Sequence, residues 1–112
     1  MRKLRDLETV DFIGSYHGNP VAYFEIKCRF RKFEPYLIAT QKLDRMCHLK
    51  GLPCVLVVAM FLGQRRELYR FDVTSESLSG LRIGTVHRTD RNDPLDAEPA
   101  YEIPFSKMER LI

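Results

Sequence analysis

Hydrophobic and polar positions alternate most regularly between residues 21 and 30. Read as a strand, Val21, Tyr23, Glu25, Lys27 and Arg29 fall on one face, and Ala22, Phe24, Ile26, Cys28 and Phe30 on the other. The apolar face is the one expected to pack, and the charged face the one expected to carry chemistry. Residues 9–16 also alternate, setting Val10, Phe12 and Gly14 against Asp11, Ile13 and Ser15. The turn-forming run His17-Gly18-Asn19-Pro20 should join the two segments into an antiparallel hairpin. A turn centred near Gly18-Asn19 leaves Asp11 and Glu25 about equally far from it, so that they lie opposite or diagonal to one another. A slip of one residue would turn Asp11 to the other face. Ahead of the hairpin, residues 1–8 are expected to make one or two helical turns, with Leu4 and Leu7 toward the body.

Pro35 reads as the first turn of a helix running from Tyr36 to about Lys50, ended by Gly51 and Pro53. Its expected buried stripe is Tyr36, Ala39, Leu43, Met46 and Cys47, while Gln41, Arg45 and His48 share a separate polar ridge. Cys54–Leu62 is apolar without alternation, as in a central strand covered on both faces. Reached through a helix, it should run parallel to the 21–30 strand by the right-handed crossover rule. Residues 66–73 alternate again, with Tyr69, Phe71 and Val73 opposite Leu68, Arg70 and Asp72, and predict an antiparallel edge strand. Residues 74–99 are expected to be a long loop with one short strand near 81–86, and the mixed-charge run 87–98 to be solvated or to cover a substrate. Residues 100–112 predict a closing strand and a short helix that rest Phe105, Met108 and Ile112 on the body. The sum is an α/β (α+β) fold in one domain, 1–112. It has a mixed central sheet with an N-terminal hairpin, one main crossover helix, a central apolar strand and an antiparallel edge strand.

Composition adds bounds. The 112 residues are 45% hydrophobic and 11% aromatic, enough for a core in a single domain. A net charge of +3, from 18 Lys and Arg against 15 Asp and Glu, permits a nucleic-acid partner without requiring one. Cys28, Cys47 and Cys54 have no paired spacing and read as reduced thiols in core or near-core segments. Cys47, His48 and Cys54 do not make a zinc pattern, because adjacent residues diverge on a helix. Residues 1–8 include basic side chains but no apolar run follows them, so they are not expected to be a signal peptide, and the longest apolar run, Cys54–Leu62, falls far short of the about 20 residues of a membrane span. The expected setting is the cytoplasm of a bacterium or a phage-infected host.

Chemistry concentrates on the charged strand face. Glu25 and Lys27 project to the same side with Cα atoms about 6 to 7 Å apart, a separation that can serve one reaction centre. A carboxylate there can take a hard divalent cation, and a lysine beside it can position or deprotonate a water. A charge pair on a solvated sheet face would look the same. Beyond the strand, Arg29, Arg31 and Lys32 interleave with Phe30 and Phe33, a composition that can grip a phosphate backbone and stack on a base. Two phenylalanines pinning a loop to the core would also account for it. Gln41, Arg45 and His48 can meet phosphate from the helix, and a solvated helix face is the plainer account of them.

The order strand, turn, strand, helix, strand, strand, with Asp11, then Glu25-Ile26-Lys27, then Gln41, resembles the PD-(D/E)XK nuclease superfamily. That group includes Holliday-junction resolvases, VRR-NUC domains and restriction-type endonucleases. The resemblance covers roughly residues 9–73 and the closing strand and helix. It implies a restriction-endonuclease-like fold and Mg²⁺- or Mn²⁺-dependent hydrolysis of DNA phosphodiesters at a junction, flap or end. It also implies Asp11, Glu25 and the Ile26 carbonyl as metal ligands, and Asp11, Glu25, Lys27 and Gln41 as the catalytic set. Arg29, Arg31, Lys32, Arg45 and His48 are then the expected DNA contacts, with a homodimer as an option for junction cleavage. Two departures stand out: Val10 occupies the place of the family's usual proline, and only ten residues precede Asp11, where members usually have a longer helix carrying a glutamate. The alternatives are a catalytically inactive nuclease-fold protein that binds nucleic acid or a host protein, and an unrelated small α/β domain.

Overall fold

A computed structural model of the chain describes residues 2–3, 12–49, 51–87 and 97–112. Two sheets form among them. The larger contains β1 (Arg2–Lys3), β2 (Phe12–Tyr16), β3 (Asn19–Arg29), β5 (Cys54–Leu62), β6 (Arg65–Val73) and β9 (Glu109–Arg110), in the order β1-β2-β3-β5-β6-β9. The smaller joins β4 (Tyr36–Ala39), β7 (Arg82–His87) and β8 (Ala97–Ile103) in the order β4-β8-β7. The helix α1 (Thr40–Cys47) follows β4, and α2 (Ser75–Ser79) follows β6. The larger sheet is mixed: β3 and β5 run parallel, and β5 and β6 antiparallel. The crossover from β3 through α1 to β5 is therefore the one the apolar pattern implied.

The hairpin closes with two residues, His17 and Gly18, both at positive φ (49° and 79°), between the paired Tyr16 and Asn19. That is the turn geometry whose twist suits two antiparallel strands. Next to it the ladder shifts by one: Ser15 pairs with Pro20 but Gly14 with Ala22, leaving Val21 as the extra residue of a β-bulge. The shift carries through to the last described pair, Phe12 with Phe24. Gly14 is buried under Phe24, and a Cβ at that position would meet Phe24 Cε2 at 2.4 Å.

The core lies on the face of the larger sheet that α1 and the small sheet cover. Leu43 and Met46 of α1 meet Leu56, Val58 and Met60 of β5, Tyr69, Phe71 and Val73 of β6, and Tyr36, Ile38, Tyr101 and Ile103 of the small sheet. Strand pairing sets Tyr23, Glu25 and Lys27 of β3 beside Cys54, Leu56 and Val58 of β5, so they share this covered face. The expected division of β3 is thus reversed. Its charged face is the covered one, whereas Phe24 and Ile26 are half-buried and Cys28 is exposed. The other face of β5 is less fully covered, with Val55 buried and Val57 and Ala59 half-buried.

The helix is shorter than its periodicity predicted. Tyr36–Ala39 is a strand whose residues alternate between buried and half-buried and pair with Ile103 through Ala100 of β8. Four apolar residues satisfy a period of 2 and a period of 3.6 equally well, and a strand more than sixty residues away decides between them. Pro35, joined to Glu34 by a cis peptide bond, precedes this strand and not a helix. The described parts of the 74–99 segment hold more regular structure than the expected loop with one short strand. Thr74 and Ser77 form a reciprocal capping box that starts α2, and β7 and β8 pair antiparallel from Arg82 to Glu102. At the N-terminus Arg2–Lys3 pairs with Phe12 and Ile13 as a strand, while Leu4 and Leu7 lie outside the described residues. At the C-terminus Phe105 and Met108 are buried on a 3-10 turn, but Ile112 is exposed, because its backbone is held at the sheet edge by bonds to Leu68.

A second buried carboxylate ties the 30–35 segment to this frame. Glu67 of β6, 5% exposed, accepts a hydrogen bond from the Tyr69 hydroxyl (2.6 Å) and one from Lys32 Nζ (3.0 Å). Arg65 and Arg110 stand 3.9 and 3.8 Å from its other oxygen. These partners, Tyr69 first and then Lys32, hold the Glu67 carboxyl at about 2 against its ordinary 4.5. A depressed carboxyl contributes stability that is complete above pH 4.5 and lost as pH falls through about 2. In urea unfolding, Glu67→Gln is therefore expected to be less stable than the native chain at pH 7, with the gap closing between pH 4.5 and 2. Gly14→Ala is expected to cost about 1–3 kcal/mol in the same assay at pH 7, from overpacking against Phe24.

Candidate active site

Glu25 is 1% exposed, and each of its oxygens faces an ammonium group. Lys27, two residues along β3, places Nζ 3.2 Å from Oε1, and Lys42, on the first turn of α1, places Nζ 3.1 Å from Oε2. Oε2 has no hydrogen-bond partner despite that proximity. A buried carboxylate costs several kcal/mol in lost hydration unless it is paired, so the two lysines are what allow Glu25 to sit beneath α1. Lys27 and Lys42 in turn line an open cavity of about 250 Å³ with Arg29, Leu37, Ala39, Val86 and Glu98. Three cations, Lys27, Arg29 and Lys42, thus stand at its wall with the carboxylate behind them, an arrangement whose charge is of the sign that attracts phosphate.

Lys42 is the residue the sequence reading missed. Gln41 was expected to reach the site, yet Gln41 is exposed on the outer side of α1. The signal was present in the stripe itself. Taking Leu43, Met46 and Cys47 as the inward direction, Gln41 lies roughly half a turn away, whereas Lys42 lies roughly a quarter turn away, on the flank next to β3. Arg45 and His48 are likewise exposed. His48 lines a separate cavity with Asp44, Cys47 and Tyr101, not the one at Lys27 and Lys42.

The basic segment divides. Arg29 lies at the cavity wall with its guanidinium 5.3 Å from the Tyr36 ring centre. Arg31 is exposed at a neighbouring cavity. Lys32 turns away to bond Glu67 and the Tyr69 hydroxyl, and these bonds raise its pKa above the ordinary 10.5. Lys32 is thereby committed to an internal ion pair. Phe30 and Phe33 remain largely exposed, so they do not pin the segment to the core.

Of the expected metal ligands, Asp11 lies outside the described residues. Ile26 is half-buried on β3 between Glu25 and Lys27. Among the described residues no group of three His, Cys, Asp or Glu side chains comes together. Glu25 fits a metal-ligand role in one respect, since its Oε2 is buried and lacks a hydrogen bond. Cys28, Cys47 and Cys54 are free thiols, and Cys54 donates to the Met46 carbonyl. No helix among the described residues is long and apolar enough to cross a membrane.

Among the described residues the hydroxyl of Tyr36 is the other buried side-chain atom without a partner. Burial, with a contribution from the Glu25 charge, pushes its pKa up to about 12, so it stays protonated at neutral pH.

A mixed sheet with a parallel β3–β5 pair, a crossover helix and a Glu-x-Lys on β3 defines a restriction-endonuclease-like fold. The family model described as "Phage putative PDDEXK endonuclease" matches residues 1–111, and the chain belongs to that family of PD-(D/E)XK nucleases. No curated protein and no solved structure matches the chain. Nucleases of this superfamily generally use divalent metals and act on DNA.

Tyr36→Phe removes the desolvation cost of an unpaired buried hydroxyl and is expected to be neutral or stabilising by up to about 3 kcal/mol. Urea unfolding reads this, and a loss above about 1 kcal/mol would assign the hydroxyl a partner.

Proposed function

We propose that this protein is a Mg²⁺- or Mn²⁺-dependent DNA endonuclease whose reaction centre is Glu25 with Lys27 and Lys42. The observation that carries the reading is the buried Glu25 carboxylate held between two lysines at the wall of an open, cation-rich cavity. In this reading Asp11, Glu25 and the Ile26 carbonyl hold the cation. Asp11 enters this reading through the family resemblance alone, since it lies outside the described residues.

When bound, the cation supplies charge neutralisation on the phosphate and acidifies a water. The chain's own residues do the rest. Lys27, beside the carboxylate, holds the attacking water and stabilises the charge that grows on the phosphorus oxygens. Lys42 takes the helix role that was expected of Gln41, binding a non-bridging oxygen from the opposite side. Arg29 and Arg31 grip flanking phosphates. The protein would act in the cytoplasm of a bacterial cell or a phage-infected host.

A labelled panel of linear duplex, single strand, flap and four-way junction, incubated with Mg²⁺ or Mn²⁺, tests the reading. Cleavage is expected, and Lys27→Ala should lower its rate about 100- to 1000-fold while DNA binding survives. Lys42→Ala should cost more than Gln41→Ala. Binding by the native chain without cutting would point instead to a nucleic-acid-binding protein on a nuclease fold. Symmetric junction cutting would require a dimer, which sedimentation with junction DNA reads. Independently of turnover, Mn²⁺ at 100 times its dissociation constant should stabilise the native chain by about 2.7 kcal/mol and leave Glu25→Ala unshifted.

A further inference from the structure

The cavity at Lys27 and Lys42 does not end at Arg29. A second cavity of about 210 Å³ adjoins it, and the two share Arg29, Leu37 and Val86 as common walls. The remaining lining of the second is Arg31, Phe33, Pro35 and Tyr36. Its character differs from that of the first. Two aromatic rings, a proline and two aliphatic side chains make the walls, and the two guanidinium groups supply the charge.

Phe33 stands at the mouth of this recess 68% exposed. A large ring left in water beside an apolar recess is an incomplete contact surface. The segment that presents it is held from behind by the Lys32 bonds to Glu67 and Tyr69. Phe33 is thus displayed from an anchored segment.

We infer that this second cavity takes one unstacked nucleobase of the DNA, next to the phosphate bound at Lys27 and Lys42. The inference rests on the nuclease reading of that first cavity. Three features converge on a base as occupant. It is planar and apolar on its faces, which suits Phe33 and the aliphatic walls. It is tethered to phosphates, which suits Arg29 and Arg31. The shared wall sets it one short step along the strand from the reaction centre. A base stacked within a duplex cannot enter such a recess, so the preferred substrate carries an unpaired nucleotide beside the cut. Sequence preference is then expected to be weak, because every base offers a face for stacking.

The test compares three labelled DNAs in metal-free buffer: a duplex with one bulged adenosine, the same duplex with a bulged abasic residue, and the fully paired duplex. Fluorescence anisotropy should show the base-bearing bulge binding at least about tenfold more tightly than the abasic one. In Phe33→Ala that ratio should fall toward one; Phe33 is exposed, so the variant should keep the fold, and circular dichroism checks it. Phe33→Trp should keep the ratio, and as the chain has no tryptophan its emission should be quenched by the base-bearing bulge alone. Equal or undetectable binding of the two bulges by the native chain, or a ratio unchanged in Phe33→Ala, would overturn the inference. Adding Mn²⁺ separates the two readings. Cutting of all three DNAs with no base-dependent ratio removes the base pocket and keeps the nuclease. A base-dependent ratio with no cutting keeps the pocket and removes the nuclease.

Discussion

A carboxylate that is 1% exposed sets the terms for the rest of this structure. Removing Glu25 from water is tolerable only if positive charge follows it inward, and one lysine on the same strand leaves its second oxygen unanswered. The second lysine has to arrive from another element, and α1, beginning at Thr40, brings Lys42 to that oxygen. It can begin there because Tyr36–Ala39 is spent as a strand against β8 and not wound into the helix. A charge balance at one residue therefore reaches through α1 and β4 to a strand near the C-terminus.

Glu25 and Glu67 are both buried glutamates surrounded by cations, and they are satisfied very differently. Glu67 receives two short hydrogen bonds and two guanidinium neighbours, and its carboxyl is held at about 2. It behaves as a fastener, joining β6, β9 and the segment after β3. Glu25 has two ammonium groups at ion-pair distance, yet its Oε2 has no hydrogen bond. An incompletely bonded buried carboxylate costs stability, and among the described residues only the Tyr36 hydroxyl is left in the same condition. The two sites cooperate mechanically: by capturing Lys32, Glu67 leaves Arg29 and Arg31 presented at the cavities beside Glu25.

The small sheet serves the site as much as the core. β4 delivers α1, contributes Leu37 and Ala39 to the cavity that holds Lys27 and Lys42, and carries Tyr36 under Arg29. β7 closes the same wall with Val86. Val86, at the end of the one short strand expected within 74–99, thus supplies one side of the candidate active site.

Much of the larger sheet was legible in the chain itself. The hairpin showed in the run His17-Gly18-Asn19-Pro20, although its turn falls at His17-Gly18 and not at Gly18-Asn19; the central strand showed in the unbroken apolar run of Cys54–Leu62, and the parallel crossover in the order of elements. Glu25 and Lys27 shared a face because side chains on a strand repeat every two residues. Local periodicity could not reveal which face the partner elements would cover, and it chose the apolar one, because charges look solvated until a second lysine is found to balance them. It could not tell β4 from a helix over four residues, nor foresee that Lys42 and not Gln41 would meet Glu25, nor that Lys32 would be drawn to Glu67. These outcomes depend on pairings between residues far apart in the chain, whose energies no local pattern contains. The sequence by itself determined the elements whose geometry repeats within a few residues, and tertiary structure decided which charges were buried together.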